Sequence, residues 1–220
     1  MRDLVVFDFD GTLADSWRDI ATGLNRTLAE AGLPAAEPAD VRAWVGHGVR
    51  RLIGRAIASD DPARIEPLYL RFRVHYADCC LDTTALYDGV RSTLEALAPR
   101  HVLAILSNKP QTFLDRIAAG LAIQPLFAAV VGGDALAVSK PDPATLAHVV
   151  ASVGGASAVW MVGDSAVDVE TGRRFGARTV GCAWGLRSRE ELRAAGVDFL
   201  IEHAAELPDL LDRTPTQTSV

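Results

Sequence analysis

Short apolar runs recur along the chain at Leu4–Phe7, Val102–Leu106, Ala128–Val131, Val159–Val162 and Arg178–Gly181. Most are unbroken aliphatic stretches without polar alternation, the pattern of strands buried on both faces. Between the later runs the apolar spacing changes to three or four residues, which predicts helices over Gln111–Ala119, Ala144–Ser152 (opened by Pro143) and Ala166–Phe175. A short strand at Phe199–Ile201 and a helix near His203–Leu211 close the pattern. Alternating strand and helix predicts a parallel sheet covered on both faces, a doubly wound, Rossmann-like α/β core.

Residues 15–82 break this rhythm. Ile20, Leu24, Leu28 and Ala31 share one helical face, and Gly32-Leu33-Pro34 ends it. A second helical stretch, Val41–Ala58, is interrupted at Gly46-His47-Gly48, and Ile65, Leu68, Tyr69, Phe72 and Tyr76 mark a third. The organisation expected is therefore a core built from 1–14 and 83–213, an inserted all-helical cap over 15–82, and a polar, flexible tail at 214–220.

Composition narrows the function. A hydrophobic fraction of 49% supports a packed interior rather than disorder. The net charge of −6, with acids spread along the chain, argues against nucleic acid as a partner. The three cysteines, two of them adjacent at Cys79 and Cys80, make no disulfide framework and suit a reducing cytosol. No signal peptide precedes the first strand, and no apolar run reaches the ~20 residues a membrane span requires. The expectation is a soluble cytoplasmic protein without a membrane partner, monomeric or homodimeric. Of its 22 lysines and arginines, only Lys109 and Lys140 are lysines. A compact ammonium at two isolated positions suggests that arginine would not serve there.

Ligands of a doubly wound sheet bind beyond the carboxyl ends of its strands. Just past those ends stand Asp8 and Asp10, then Ser107, Asn108 and Lys109, then Lys140, and finally Asp164 and Asp168. Asp8 and Asp10, two apart, point to one side. Like charges so close favour a hard divalent cation such as Mg²⁺, with Asp164 and Asp168 as further oxygen donors. Any one of these aspartates would ordinarily be read as a solvated charge or a helix cap; four at converging strand ends read as a metal site. A carboxylate there can attack phosphorus while its neighbour handles the proton. Gly11 lets the backbone approach a ligand, and Ser107, Asn108 and Lys140 supply donors and positive charge for a phosphoryl group. Ser107-Asn108 could equally be a plain strand-to-helix turn, and Lys140-Pro141 a surface loop.

"DFDGTLADS" (Asp8–Ser16), Ser107-Asn108, Lys140-Pro141 and "GDSAVD" (Gly163–Asp168), in this order, resemble the four motifs of the haloacid dehalogenase superfamily of phosphohydrolases. The likeness covers essentially the whole chain. "WVGHGVRRLI", "SNKP" and "GCAWGLRSREELRAAGVDFLIEHAAEL" are most similar to its phosphoglycolate phosphatases. The resemblance implies Asp8 as nucleophile and Asp10 as general acid and base. It implies Mg²⁺ held by Asp8, the Asp10 backbone carbonyl and Asp164, with Asp168 supporting the metal shell. Ser107, where threonine is commoner, and Lys140 would bind the phosphoryl group.

Specificity is expected in the cap. Gly46, His47 and Gly48 form a loop open to a small ligand, and Arg50 could pair with a substrate carboxylate. Lys109 could face the substrate from the core. The alternatives are a simple helix connector, a solvated arginine and a helix-capping lysine. Trp17, Trp44, Trp160 and Trp184 read as packing residues, and Cys79 and Cys80 as buried thiols. The function expected is a Mg²⁺-dependent phosphomonoesterase acting on a small acid such as 2-phosphoglycolate. The same core acting on pyrophosphate, a nucleoside monophosphate or a sugar phosphate is the alternative, and a non-catalytic phosphate-binding module is the second.

Overall fold

The computed structural model describes residues 1–214; most of the tail expected to be flexible, 215–220, lies outside the described residues. Strand β1 (Leu4–Phe7) pairs in parallel with β4 (Val102–Leu106) on one side and β6 (Val159–Gly163) on the other. Beyond them lie β5 (Ala129–Val131), β7 (Arg178–Cys182) and β8 (Phe199–Ile201), giving a six-stranded parallel sheet of order β5-β4-β1-β6-β7-β8. The chain winds outward from β1 to β5, then returns to β6, so the strand order reverses between β1 and β6. The crevice beyond that reversal is where such a sheet takes its ligand.

Side-chain alternation divides the sheet between two cores. Leu4 and Val6 face α7 (Pro143–Ser152), meeting Leu146 and Val149 with Met161 beside them. Val5 and Phe7 face the opposite way, into a larger core with Leu94 of α5 (Val90–Leu97), Leu114 and Ile117 of α6 (Gln111–Gly120), and Trp160. Helix α8 (Ala166–Phe175) begins at a capping box, Ser165 with Asp168, and ends at Gly176.

Helices α1 (Trp17–Glu30), α2 (Pro38–Trp44), α3 (Val49–Ala56) and α4 (Pro62–Cys79) follow one another without a strand. Ile20, Leu24 and Leu28 of α1 meet Phe72 and Tyr76 of α4 in the same larger core. The periodicity gives the helical stretches but not two short strands, β2 (Ala14–Asp15) and β3 (Ala85–Leu86), which pair antiparallel where the chain leaves for this block and where it returns. Two further helices stand outside that reading: α9 (Arg189–Ala194), whose window holds too few apolar positions to announce itself, and α5, whose Val90, Leu94 and Leu97 do share one buried helical face. At the join, Asp19 is 1% exposed and accepts from the N–H and hydroxyl of both Thr83 and Thr84, at 2.6–3.0 Å. Burial would raise its pKa, but these hydrogen bonds outweigh it and hold Asp19 below the usual carboxylate range.

Candidate active site

β1 ends at Phe7, and the next residues carry the first carboxylates. Asp8 Oδ1 lies 2.8 Å from Lys140 Nζ, which is also 2.6 Å from Asp168 Oδ1. Asp10 is held by another set: Ser16 Oγ donates to it, and Lys109 Nζ lies 2.9 Å from Oδ1 and 3.0 Å from Oδ2. Lys109 also donates to the Tyr76 hydroxyl of α4 at 3.0 Å. The only two lysines of the chain are thus buried, each paired with one aspartate of the DFD run.

Asp164, beyond β6, accepts from Leu186 N–H at 2.7 Å and Thr12 Oγ1 at 3.3 Å. Asp168 receives the N–H and hydroxyl of Ser165 on the oxygen not facing Lys140. Oxygens of Asp8, Asp164 and Asp168 come within 4.8 Å of one another, and all three residues are buried. Burial, with Asp168 and Asp8 adding to it, pushes Asp164 up to about 8. Burial likewise pushes Asp8 up to about 6, with Lys140 pulling against it. Three buried carboxylates with oxygens this close suit a divalent cation.

The backbone presses closely on Asp164. A Cβ on Gly11, whose φ is +89°, would fall 2.3 Å from Asp164 Oδ2, and one on Gly185 would fall 2.3 Å from Asp164 Cβ. Neither position has room for any other residue. Above this floor lies a small cavity. Asp8, Asp10, Ser107 and Lys109 line it from the core, and Ile20, Trp44, Val49, Leu52, Phe72 and Tyr76 from the helical block.

The sequence matches the family described as haloacid dehalogenase-like hydrolase over residues 5–182, which spans both carboxylate motifs and the helical block between them. The chain belongs to that family. Among curated proteins, the phosphoglycolate phosphatase of Rhodospirillum rubrum is 37% identical over 222 residues, covering 96% of this chain and 91% of its own. That of Pectobacterium atrosepticum is 33% identical over 213 residues, covering 94% and 91%. The crystal structure of a predicted phosphoglycolate phosphatase from Haemophilus somnus 129pt superposes with a TM-score of 0.86 at 28% identity, covering 94% of this chain and 97% of that one. The relatives of this haloacid dehalogenase-like hydrolase are therefore phosphatases, and its enzyme class is phosphatase.

In this hydrolase the rim gathers Asp8, Asp10, Gly11, Ser107, Lys109, Lys140, Asp164 and Asp168, but three expected residues are used otherwise. Arg50 is not turned to the cavity: it makes a bidentate pair with Glu66, at 2.8 and 2.9 Å, over the Tyr69 ring. α3 carries it onto an outer face, where Glu66 of α4 takes up its guanidinium. The His47 ring lines a neighbouring groove with Tyr69 and Ser139 instead of the cavity, which only its glycine neighbours border. Burial and the charges of Arg55, Arg187 and Arg51 hold this imidazole below its ordinary pKa. The Asn108 amide is taken up by backbone: Nδ2 donates to Gly46 O at 3.0 Å and Lys140 O at 3.3 Å, and Oδ1 accepts from Lys140 N. Only its main-chain N–H is left to face an anion. Trp44, expected simply to pack, lines the cavity.

Tyr76, Thr12, Ser16 and Leu186 enter the site without having been singled out. Ser16 lies in the DFDGTLADS stretch itself, and Tyr76 interrupts an apolar stripe with a hydroxyl that a buried position obliges to find a partner. Nothing local marks Leu186, which contributes only its N–H. Among the described residues no helix is long and apolar enough to cross a membrane.

Proposed function

We propose that this phosphatase is a Mg²⁺-dependent phosphomonoesterase that hydrolyses 2-phosphoglycolate through an aspartyl-phosphate. One observation carries the reading: Asp8 and Asp10 stand side by side on the rim with different partners, which suits two different tasks. Asp8 faces Lys140 and the carboxylate cluster, the environment of a group that meets a charged phosphoryl. Asp10 faces Ser16, Lys109 and the helical block, the side from which a leaving group would depart.

In this mechanism an Asp8 oxygen bonds to phosphorus as the bond from phosphorus to the ester oxygen breaks, and Asp10 gives a proton to the departing alkoxide. Asp10 then takes a proton from water as the water oxygen bonds to phosphorus, and the bond from Asp8 to phosphorus breaks to release phosphate. Ser107 Oγ and the Lys140 ammonium hold the phosphoryl oxygens throughout. Asp8, Asp164 and the Asp10 carbonyl would hold Mg²⁺, with Asp168 orienting its surroundings; when bound, the ion offsets charge on the phosphoryl oxygens.

The substrate rests on the relatives' names and on the cavity. Its helical-block wall is largely apolar, with the Tyr76 hydroxyl and the Trp44 indole as its polar side-chain groups, which suits a short ester over a sugar or nucleoside. Lys109 Nζ borders the cavity with both Asp10 oxygens and the Tyr76 hydroxyl within 3.0 Å, so it would meet a substrate carboxylate through its charge rather than through a spare donor. Lys109 thus takes the part that Arg50 cannot. The test is kcat/KM, with Mg²⁺, for 2-phosphoglycolate beside ethyl phosphate, a sugar phosphate, a nucleoside monophosphate and pyrophosphate. The expected lead is about 100-fold, or about 2.7 kcal/mol of transition-state discrimination. A flat panel, or a different leader, removes 2-phosphoglycolate and leaves the hydrolase.

A further inference from the structure

The helical block meets the rim at the end of α2, where the last carbonyls of a seven-residue helix run out of intrahelical donors. Two core side chains supply them. Arg187, from the loop after β7, donates to Arg42 O at 3.1 Å and Val45 O at 2.6 Å, and its side chain is 8% exposed. Asn108, from the loop after β4, donates to the next carbonyl, Gly46 O, at 3.0 Å. In return, Arg42 of α2 donates to Gly185 O of the Arg187 loop at 3.3 Å.

Each grip continues into the catalytic rim. The residue before Arg187 is Leu186, whose N–H donates to Asp164 Oδ2 at 2.7 Å, and Gly185 beside it is pressed against Asp164. On the other side, the Asn108 amide closes on both the N–H and the carbonyl of Lys140, whose ammonium holds Asp8 and Asp168. One path therefore runs from Val45 through Arg187 and the 186–187 peptide to Asp164. The other runs from Gly46 through Asn108 and Lys140 to Asp8.

We propose that Arg187 and Asn108 are positioning residues, which grip successive carbonyls of the 45–46 segment and hold Asp164 and Lys140 in working order when the helical block is seated. Neither need touch the substrate. A buried guanidinium that gives both terminal nitrogens to main-chain carbonyls of another element, with Nε 3.6 Å from Glu191 Oε1 of its own segment, is well suited to clamping. The clamp acts on backbone, so cap side chains can vary without loosening it. A loose block would leave Asp164 without its seated loop and Lys140 without its brace, and errors near 1 Å at a reacting centre are costly. This inference rests on the hydrolase reading for its kinetic half only.

The experiment compares Arg187→Gln, Arg187→Lys and Asn108→Ala with the wild type in two measurements. Hydrogen exchange is followed over residues 41–49 and over β1 and β6. Steady-state rates are measured on whichever ester of the panel the wild type cleaves fastest. Arg187→Gln should speed exchange in 41–49 by about tenfold or more while β1 and β6 stay protected. Its kcat should fall by about tenfold or more with KM changed less than about threefold, the mark of an interaction that matters in the transition state. Asn108→Ala should behave alike, and Arg187→Lys, which can reach one carbonyl, should recover part of both effects. Unchanged exchange in 41–49 overturns the clamp. Faster exchange with unaltered kcat overturns the positioning role, and faster exchange throughout β1 and β6 makes Arg187 a general stability residue. A wild type that cleaves no ester defeats the functional reading instead, and the exchange data still decide the clamp.

Discussion

Lys140→Met removes the one ammonium between Asp8 and Asp168 while keeping roughly the same volume. Its Nζ lies 2.8 and 2.6 Å from their oxygens, and the three side chains are 1%, 6% and 2% exposed. With an effective dielectric of 20, each contact near 3 Å is worth about 5–6 kcal/mol of gross attraction. Burying the charges cancels much of that, so the intact cluster contributes little net stability. Removing one partner is different, because the carboxylates keep their desolvation cost without compensation; about 3–5 kcal/mol should be lost. For a chain of this length, 1 kcal/mol moves Tm by about 2–4 °C, so the expected drop is about 6–20 °C in chelator at pH 7.5. The pH dependence separates charge from packing. Asp8 titrates at about 6 in the folded chain, above the 3.8 of the unfolded one, so below pH 6 it is protonated in wild type and variant alike. Its pairing with Lys140 then no longer contributes, and the difference between the two proteins should shrink at pH 5. Differential scanning calorimetry at both pH values makes the check. A drop below about 2 °C, or one equal at pH 7.5 and pH 5, would refute the electrostatic account.

Asp19→Asn should cost about 1–3 kcal/mol at pH 7, since an amide cannot accept from all four Thr83 and Thr84 donors. The depressed folded pKa of Asp19 means that its contribution is complete above about pH 4 and fades as pH falls through that lower value. Urea titrations from pH 7 to pH 3 should show wild type and variant converging at the acid end. In chelator, Asp8 at about 6 and Asp164 at about 8 hold protons that the unfolded chain has released. Stability should therefore decline as pH rises from about 4 to about 8. Added Mg²⁺ should raise Tm more at pH 8 than at pH 5.5, and an equal rise at both would count against the carboxylate cluster as its site.

The sheet was legible because burial on both faces leaves a strong local mark: Leu4–Phe7 and Val102–Leu106 are strands in sequence and in structure alike. The rim was legible for a topological reason. Once strands are parallel, whatever follows each of them is brought to one edge, and Asp8, Ser107 and Asp164 needed no knowledge of distance. What failed needed a partner from elsewhere. Arg50 looked like a carboxylate receptor, yet Glu66 lies across from it on the next helix. Arg187 reads as one more surface arginine until the fold sets it against carbonyls more than a hundred residues earlier. Asp19, in a helix's first turn, gave no sign of the two threonines that saturate it. Periodicity reports which face of an element is buried and is silent on what covers it.

The pairing of Asp15 with Ala85 in β2 and β3 has an evolutionary consequence. The chain departs and returns on neighbouring strands, about 4.8 Å apart, so everything between is an excursion whose two ends nearly coincide. Lengthening, shortening or exchanging that excursion places no strain on the sheet, since the gap its ends must span does not change. A lineage could replace the roof and inherit the floor. Innovation in substrate is then a matter of transplantation at one junction, on the condition that each new roof again offers main-chain carbonyls to Arg187 and Asn108 and a partner to Lys109.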